Sequence, residues 1–404
     1  MVKVKLSRQV KSTTSKLLNW IAENDIAVHD KIPSMFKLSK KFEVSVNTVH
    51  SAVRHLTKHG ILDSGVGSGT FLMRPVDTFD IDSEEGIWTI GLVVETGIAE
   101  LLDNQPGILK SESWGYRILR GIYKSGETHK IRIKTVAVPS EIWSNPTVEG
   151  LRNAIRPQLK GIDGLISFPG KGRVLIDVLD DLGLPWILIN PLDDLGTTNY
   201  ASPDYYGSSV VVGQLAARLG AKHIWLLTEQ PSWPSNRQRI RGLRDGLMFE
   251  DGRFNGITIA LAKDVGYDDG VEGMLKAFEK YPQAPDFIYS SGDHLAKAAV
   301  DVIRSSELIP GRDVSIISST GLPDLVDYEP PISTVELPTV KTGKTAMEMI
   351  QRMLKTGQYT LPAKIIPAPL VLRDTTPPKA KSILEEIEKE HARQPDAEML
   401  PMLA

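Results

Sequence analysis

From Trp88 onward the chain alternates between short apolar runs and amphipathic stretches, and nothing else in the sequence restricts its fold as tightly. Short apolar runs bounded by Gly, Pro, Asn and Asp read as buried strands. Longer stretches with apolar positions three and four apart read as helices. Strands are expected at 89–94, 131–138, 164–168, 185–190, 223–228, 256–261, 286–291 and 314–318. Helices are expected at 115–124, 148–160, 171–182, 206–219, 236–250, 268–279, 293–305 and 339–356. Strand and helix in turn build parallel sheets with both faces covered. Two runs of four strands predict two similar lobes within residues 87–376. Ligands of such sheets sit beyond the carboxyl ends of the strands, so the residues just after each strand carry the interest.

Residues 1–75 follow a different plan, that of a winged helix-turn-helix. Leu17, Leu18 and Ile21 form a helical stripe, and Ser34 is placed to cap a second helix that carries Phe36, Leu38 and Phe42 inward. A third helix starts at Ser45, with Val49, Ala52, Val53 and Leu56 on one face and Gly60 as its stop. Its other face shows Asn47, Thr48, His50, Ser51 and Arg54, hydrogen-bonding groups suited to base edges in a major groove. Segments 61–63 and 70–73 then pair around the glycine-rich turn 64–69. There the backbone N–H groups of Gly67, Ser68, Gly69 and Thr70 can approach phosphate. Ser34, Lys37 and Ser45 complete the expected DNA-facing set. A three-helix winged domain can also serve as a protein–protein module.

Charge separates the two parts. Residues 1–75 hold 12 Lys and Arg against 5 Asp and Glu, and the remainder holds 35 against 45. A basic end on an acidic body suits one module that faces DNA and one that stays off it. The absence of cysteine excludes disulfides, thiolate metal sites and cysteine nucleophiles. No apolar run approaches the roughly 18 residues of a membrane span, and no signal peptide is recognised, so a cytoplasmic protein is expected. Residues 76–86 read as an acidic linker, and residues 377–404 as a flexible tail. In that tail Ile383, Leu384 and Ile387 mark one face of a helix, the alternative to disorder.

Catalytic motifs fail on spacing. Thr342-Gly343-Lys344-Thr345 lacks the glycine of a phosphate-binding loop, because Pro338 stands in its place. The glycines at 65, 67 and 69 lack the third member of a dinucleotide fingerprint, and the eight histidines form no metal-binding spacing. No cofactor, no metal and no enzymatic activity are expected.

Residues 10–73 resemble the DNA-binding domain of the GntR family, through the Ile32-Pro33-Ser34 turn, the Ser45-started helix, HLTKHGIL and GSGTF. Phe36, Val46, His50 and Ser68 stand where that family commonly has arginine. Residues 87–375 resemble the LacI/GalR effector core, a relative of periplasmic sugar-binding proteins. TIGLVV, GIDGLISF, PDYYGSSVVVGQLAARLGAKHIWLLT, SNRQRIRGLRDGL and SSGDHLAKAAVDVI carry that resemblance. It implies two Rossmann-like lobes joined by crossings near residues 200, 320 and 336, with a small ligand between them.

The same resemblance implies ligand contacts at Asn190, Arg239 and Asp293, the last also suited to capping its helix. Thr320 and Gly292 replace an acid and an amide that are common in the family. Position after a strand or beside a loop adds Glu95, Thr96, Trp114 and Tyr267. Carboxylates, amides, arginine and aromatic rings are the groups that hold vicinal hydroxyls and flat C–H faces.

The whole implies a multidomain α+β and α/β chain: a sugar-responsive bacterial regulator, expected to be a repressor. It would bind double-stranded operator DNA as a homodimer and a small carbohydrate-type effector, with no membrane partner. A sugar or nucleoside sensor of the same fold, without effector-controlled DNA binding, is the alternative.

Overall fold

The computed structural model describes residues 8–65, 69–76, 88–169, 172–190, 198–251 and 256–393. The chain divides into two compact units. One comprises residues 1–110, 118–201 and 343–364, and the other residues 111–117, 202–342 and 365–404.

The first unit opens with a head made of α1 (Arg8–Glu23), β1 (Lys31–Ile32), α2 (Met35–Phe42), α3 (Val46–Lys58), β2 (Leu62–Gly65) and β3 (Gly69–Leu72). Ser34 and Ser45 start α2 and α3: their hydroxyl oxygens accept from the N–H of Lys37 at 3.4 Å and of Thr48 at 3.1 Å. Each such cap stabilises its helix by about 1 kcal/mol. Glu43 ends α2 in the left-handed region at φ 55° and returns its N–H to the Ser39 carbonyl. The strands pair antiparallel in the order β1-β3-β2, with Leu62 opposite Leu72 and Gly65 opposite Gly69. Leu17, Ile21, Leu38, Val49, Leu56, Ile61 and Leu72 form the core beneath them.

One expectation about this core is corrected. Phe36 does not point inward with Leu38 and Phe42 but is 58% exposed. Two positions before Leu38 on a helix, it lies on the opposite side of the cylinder.

The rest of the chain runs through β4 (Thr89–Glu95), α4 (Thr96–Asn104), α5 (Trp114–His129), β5 (Arg132–Val138), α6 (Ser140–Ser144), α7 (Val148–Ile155), β6 (Gly164–Ser167), α8 (Gly172–Asp181), β7 (Trp186–Ile189) and β8 (Tyr200–Pro203). It continues with α9 (Tyr205–Leu219), β9 (Ile224–Thr228), α10 (Pro234–Asp251), β10 (Ile257–Leu261), α11 (Tyr267–Lys280), β11 (Phe287–Ser290), α12 (Asp293–Ser305), β12 (Ser315–Thr320) and β13 (Ser333–Glu336). It closes with α13 (Thr339–Thr356), β14 (Lys364–Ile366), β15 (Leu370–Val371) and α14 (Ala380–Arg393).

Two six-stranded sheets result, in the orders β14-β8-β7-β6-β4-β5 and β10-β9-β11-β12-β13-β15. The pairs from β5 through β8 and from β10 through β13 are parallel, and β15 joins β13 antiparallel. All eight expected strands form. In each sheet the chain lays its second strand on one side of the first and its third on the other. The order therefore reverses between β4 and β6, and again between β9 and β11. Such a reversal leaves a crevice at the strands' carboxyl ends where a ligand can enter.

Four differences from the sequence reading have physical causes. Strands β8 and β13 were not expected, because YASP and STVE are short and half polar, yet most of their residues are buried between neighbours. The chain changes unit near residue 201, as expected, but its later changes fall at 342/343 and 364/365 instead of 320 and 336. Arg74, at the edge of the expected hydrated linker, is buried beside Asp163, with 3.8 Å between guanidinium and carboxylate. Residues 77–87, nearly all of that linker, lie outside the described residues.

The fourth difference is the tail. Residues 380–393 form α14, with Ala380, Leu384 and Ile387 buried in the core of the second unit and Ile383 packed against it. Arg218 of α9 reaches both Glu390 of α14 and Glu250 of α10. A helix of this length is marginal alone and gains its stability from the face that it buries.

Candidate functional site

In the head, Ser34, Lys37, Ser45, Asn47, His50 and Arg54 are exposed. Thr48 and Ser51 are half-buried, and the Thr48 hydroxyl sits 2.8 Å from that of Ser45. The helix start is therefore doubly tied, which holds the first turn of α3 in one position. Lys40 and Lys41 add exposed charge to the last turn of α2. This is a polar, basic face carried on a rigid helix, the arrangement that enters a major groove. In the turn between β2 and β3, Gly67 and Ser68 lie outside the described residues and Gly69 is half-buried. Thr70 is buried in the head, so its side chain is no DNA contact.

The second unit gathers a polar set at the carboxyl ends of β9, β11 and β12. Arg239, one turn into α10, is 5% exposed. Its Nη1 donates to Asn236 Oδ1 at 2.7 Å, and Nε and Nη2 donate to Ser319 Oγ at 3.3 and 3.2 Å. The Tyr205 ring lies 4.6 Å from its guanidinium carbon. Asn236 in turn donates to Glu229 Oε1 at 3.2 Å, and Ser291 Oγ donates to Glu229 Oε2 at 2.6 Å. Glu229 follows β9 and Ser291 follows β11, so their bond spans the place where the strand order reverses.

No carboxylate among the described residues pairs directly with Arg239. A buried guanidinium held only by neutral oxygens and an aromatic face keeps its charge for a further partner. Burial pushes the Tyr205 hydroxyl up to about 12 against the pull of Arg239, so it stays protonated, and it is hydrogen-bonded to Trp114.

Other expected effector residues divide. Asp293 is buried and is not the cap of α12, which is Gly292. Its carboxylate accepts from Ser318 Oγ, from Leu322 N at 2.7 Å and from Gly321 N at 3.4 Å. It thus pins the loop after β12. Burial raises its pKa, opposed by those three donors. Thr320 spends its hydroxyl on the Ser319 carbonyl. Tyr267 is 39% exposed and donates to Asp301 Oδ2 at 2.8 Å, so it belongs to a surface contact between α11 and α12 and is not gathered with Arg239.

In the first unit, Asn190 follows β7, is buried, and takes φ 47°, a left-handed conformation that asparagine tolerates. Thr96 donates to the Val138 carbonyl at 3.0 Å, and Glu95 precedes α4 without capping it.

The sequence reading missed Glu229, Asn236, Ser291 and Ser319. Glu229 was findable, since it directly follows the run HIWLLT; Ser319 was not, because a strand-end serine looks like any other.

Comparison with known proteins agrees with both halves. Residues 9–72 match the family described as bacterial regulatory proteins, gntR family, and residues 214–376 match a periplasmic binding protein-like domain. The arabinose metabolism transcriptional repressor of Geobacillus stearothermophilus is 25% identical over 89% of this chain and 95% of its own length. The lac repressor bound to ONPG in its repressed state superposes with a TM-score of 0.60 at 18% identity, over 90% of this chain and 95% of that one. A LacI-family regulator from Enterococcus faecium with bound ribose superposes with a TM-score of 0.55 at 17% identity, over 72% and 99%. The chain is a transcriptional regulator in which a gntR-family DNA-binding domain precedes a periplasmic binding protein-like domain.

Proposed function

We propose that the protein represses transcription as a homodimer on operator DNA, and that a sugar or sugar derivative held by the Arg239 set changes its DNA affinity. The observation that carries the effector half is Arg239 itself. It is buried, fixed by Asn236, Ser319 and Tyr205, and without a carboxylate partner among the described residues, at the strand ends where ligands of this fold enter. A guanidinium supplies paired donors to vicinal hydroxyls or to a carboxylate. Glu229 stands two bonds away through Asn236 and supplies the acceptor that a polyol also needs. The set holds a ligand by hydrogen bonds and offers no chemistry beyond binding. The DNA half rests on the capped, polar helix α3 with its exposed Asn47, His50 and Arg54.

The effector alters DNA affinity only to the extent that it binds the operator-bound and free states unequally. A thermal-shift panel of pentoses, hexoses, uronic acids and small oligosaccharides tests the ligand class. A ligand at about 100 times its dissociation constant stabilises the protein by about 2.7 kcal/mol, a shift that such an assay resolves. A panel without a hit would reject the sugar class, and phosphorylated sugars and nucleosides would be tried next.

A further inference from the structure

The DNA-facing surface of the head carries one group that hydrogen-bond readout does not use. Val46 is the first residue of α3 and is 43% exposed, beside the exposed Asn47 and the doubly bonded Ser45. Every other large apolar residue described in the head is buried or half-buried, except Phe36. The exposure of Phe36 has a local reason: the Lys40 ammonium lies 4.6 Å from the centre of its ring. Val46 has two methyl groups, no donor and no acceptor. Leaving them in water is unfavourable by about 25 cal/mol for each Å². The first turn of a recognition helix is where side chains reach base edges.

Of the features that base pairs present in the major groove, only the thymine 5-methyl group is complementary to an aliphatic side chain; the rest are donors and acceptors. We propose that Val46 is a specificity-determining residue of this head, and that it selects thymine in each half-site by contact with the 5-methyl group. The inference rests on the reading of α3 as the groove-entering helix. On that helix Asn47, His50 and Arg54 read polar edges, and Val46 reads a methyl.

The experiment uses the full-length protein. Duplexes selected from a random pool give the preferred half-site, and each thymine in it is then replaced singly by deoxyuridine, which removes the methyl and changes nothing else in base pairing. One thymine per half-site is expected to weaken binding about fourfold on losing its methyl, the worth of one buried carbon at roughly 0.8 kcal/mol. In Val46→Ala the thymine and deoxyuridine duplexes should bind alike. In Val46→Arg, selection from the same pool should move that position from thymine to guanine, which offers two acceptors to a guanidinium.

If a half-site is selected but no thymine responds to loss of its methyl, or if the response persists in Val46→Ala, the proposal is overturned and the DNA-reading role of α3 stands. If no sequence is enriched over random duplex, both fall together.

Discussion

At the scale of single residues, Arg239 is the sharpest test of the effector site, because three of its five N–H donors hold it to Asn236 and Ser319 and its face lies on Tyr205, which leaves two donors for a ligand. Arg239→Ala removes the cation and leaves the head untouched. It is expected to abolish the response of DNA binding to effector while operator affinity without effector stays within a factor of about two. Induction that survives in that variant would displace the site from Arg239. His59 offers a second test, this time of pH. It follows α3, and burial, aided by the nearby charges of His55, Arg74 and Lys58, lowers its pKa from 6.5 to about 3. In the unfolded chain the same imidazole takes a proton below 6.5, so the unfolded state binds more protons between 6.5 and 3. The stability that this site contributes is complete above that window and is lost as pH falls through it. Buried Asp163 and Asp293, whose pKa values burial raises, slope the other way. The midpoint of thermal unfolding should therefore drop from pH 7.5 to pH 5, and His59→Gln should remove part of that drop. An unchanged slope in the variant would assign the acid sensitivity to other groups. Arg239 is reached from the sequence only through the resemblance of SNRQRIRGLRDGL to the effector-core family. His59 is not reached at all, because its burial comes from tertiary packing, and one of the charges near it, Arg74, stands 15 positions away at the edge of the acidic linker.

At the scale of elements, α9 and α10 set the position of the Arg239 group, and they are held together by missing side chains. A Cβ at Gly246 would stand 2.2 Å from the Val210 carbonyl oxygen, one at Gly242 2.3 Å from that of Tyr206, and one at Gly213 2.4 Å from that of Leu243. These are backbone atoms and cannot turn aside. Gly246→Ala must separate the two helices, at a cost of about 1 to 3 kcal/mol or more. It should also weaken effector binding, since Asn236 and Arg239 ride on α10. A variant with wild-type midpoint and effector affinity would show that the helices are not so close. The helix α14 makes a related point about what a sequence reveals. Ile383, Leu384 and Ile387 share a face in the sequence, but the lysine- and glutamate-rich residues around them and the prolines before them read equally well as a solvated end. What decides it is the apolar surface on the second unit that receives Leu384 and Ile387, and that surface is offered by α9, distant in sequence. The strands and helices of the body were legible because their patterns are local. The packing of α14, like strands β8 and β13, depends on neighbours that no local pattern names. Ile387→Ala, which empties a fully buried position, is expected to cost about 2 to 5 kcal/mol by chemical denaturation. A cost below about 1 kcal/mol would return the helix to the status of a loose tail.

At the scale of the whole molecule, the proposed function is a coupling between two binding events, and coupling obeys a constraint that no single residue expresses. If effector lowers or raises the affinity for operator by some factor, operator must change the affinity for effector by the same factor, because both describe one closed cycle of free energies. A regulator of this kind works through a coupling of about 1 to 3 kcal/mol, or roughly 5- to 150-fold. The expectation is that operator titrations with and without saturating effector, and effector titrations with and without saturating operator, give the same ratio within error. Arg239→Ala should drive the first ratio to one and leave no effector binding to titrate for the second. Asn47→Ala should act differently: on the proposed reading of α3 as the DNA-contacting helix, it weakens operator binding in both effector states equally and leaves the ratio intact. Unequal ratios in the unmodified protein would mean that effector acts on some process other than the DNA equilibrium, such as assembly of the dimer. Varying protein concentration in the same titrations would then identify it, because a factor that changes with concentration belongs to association of subunits and one that does not belongs to the conformation of each.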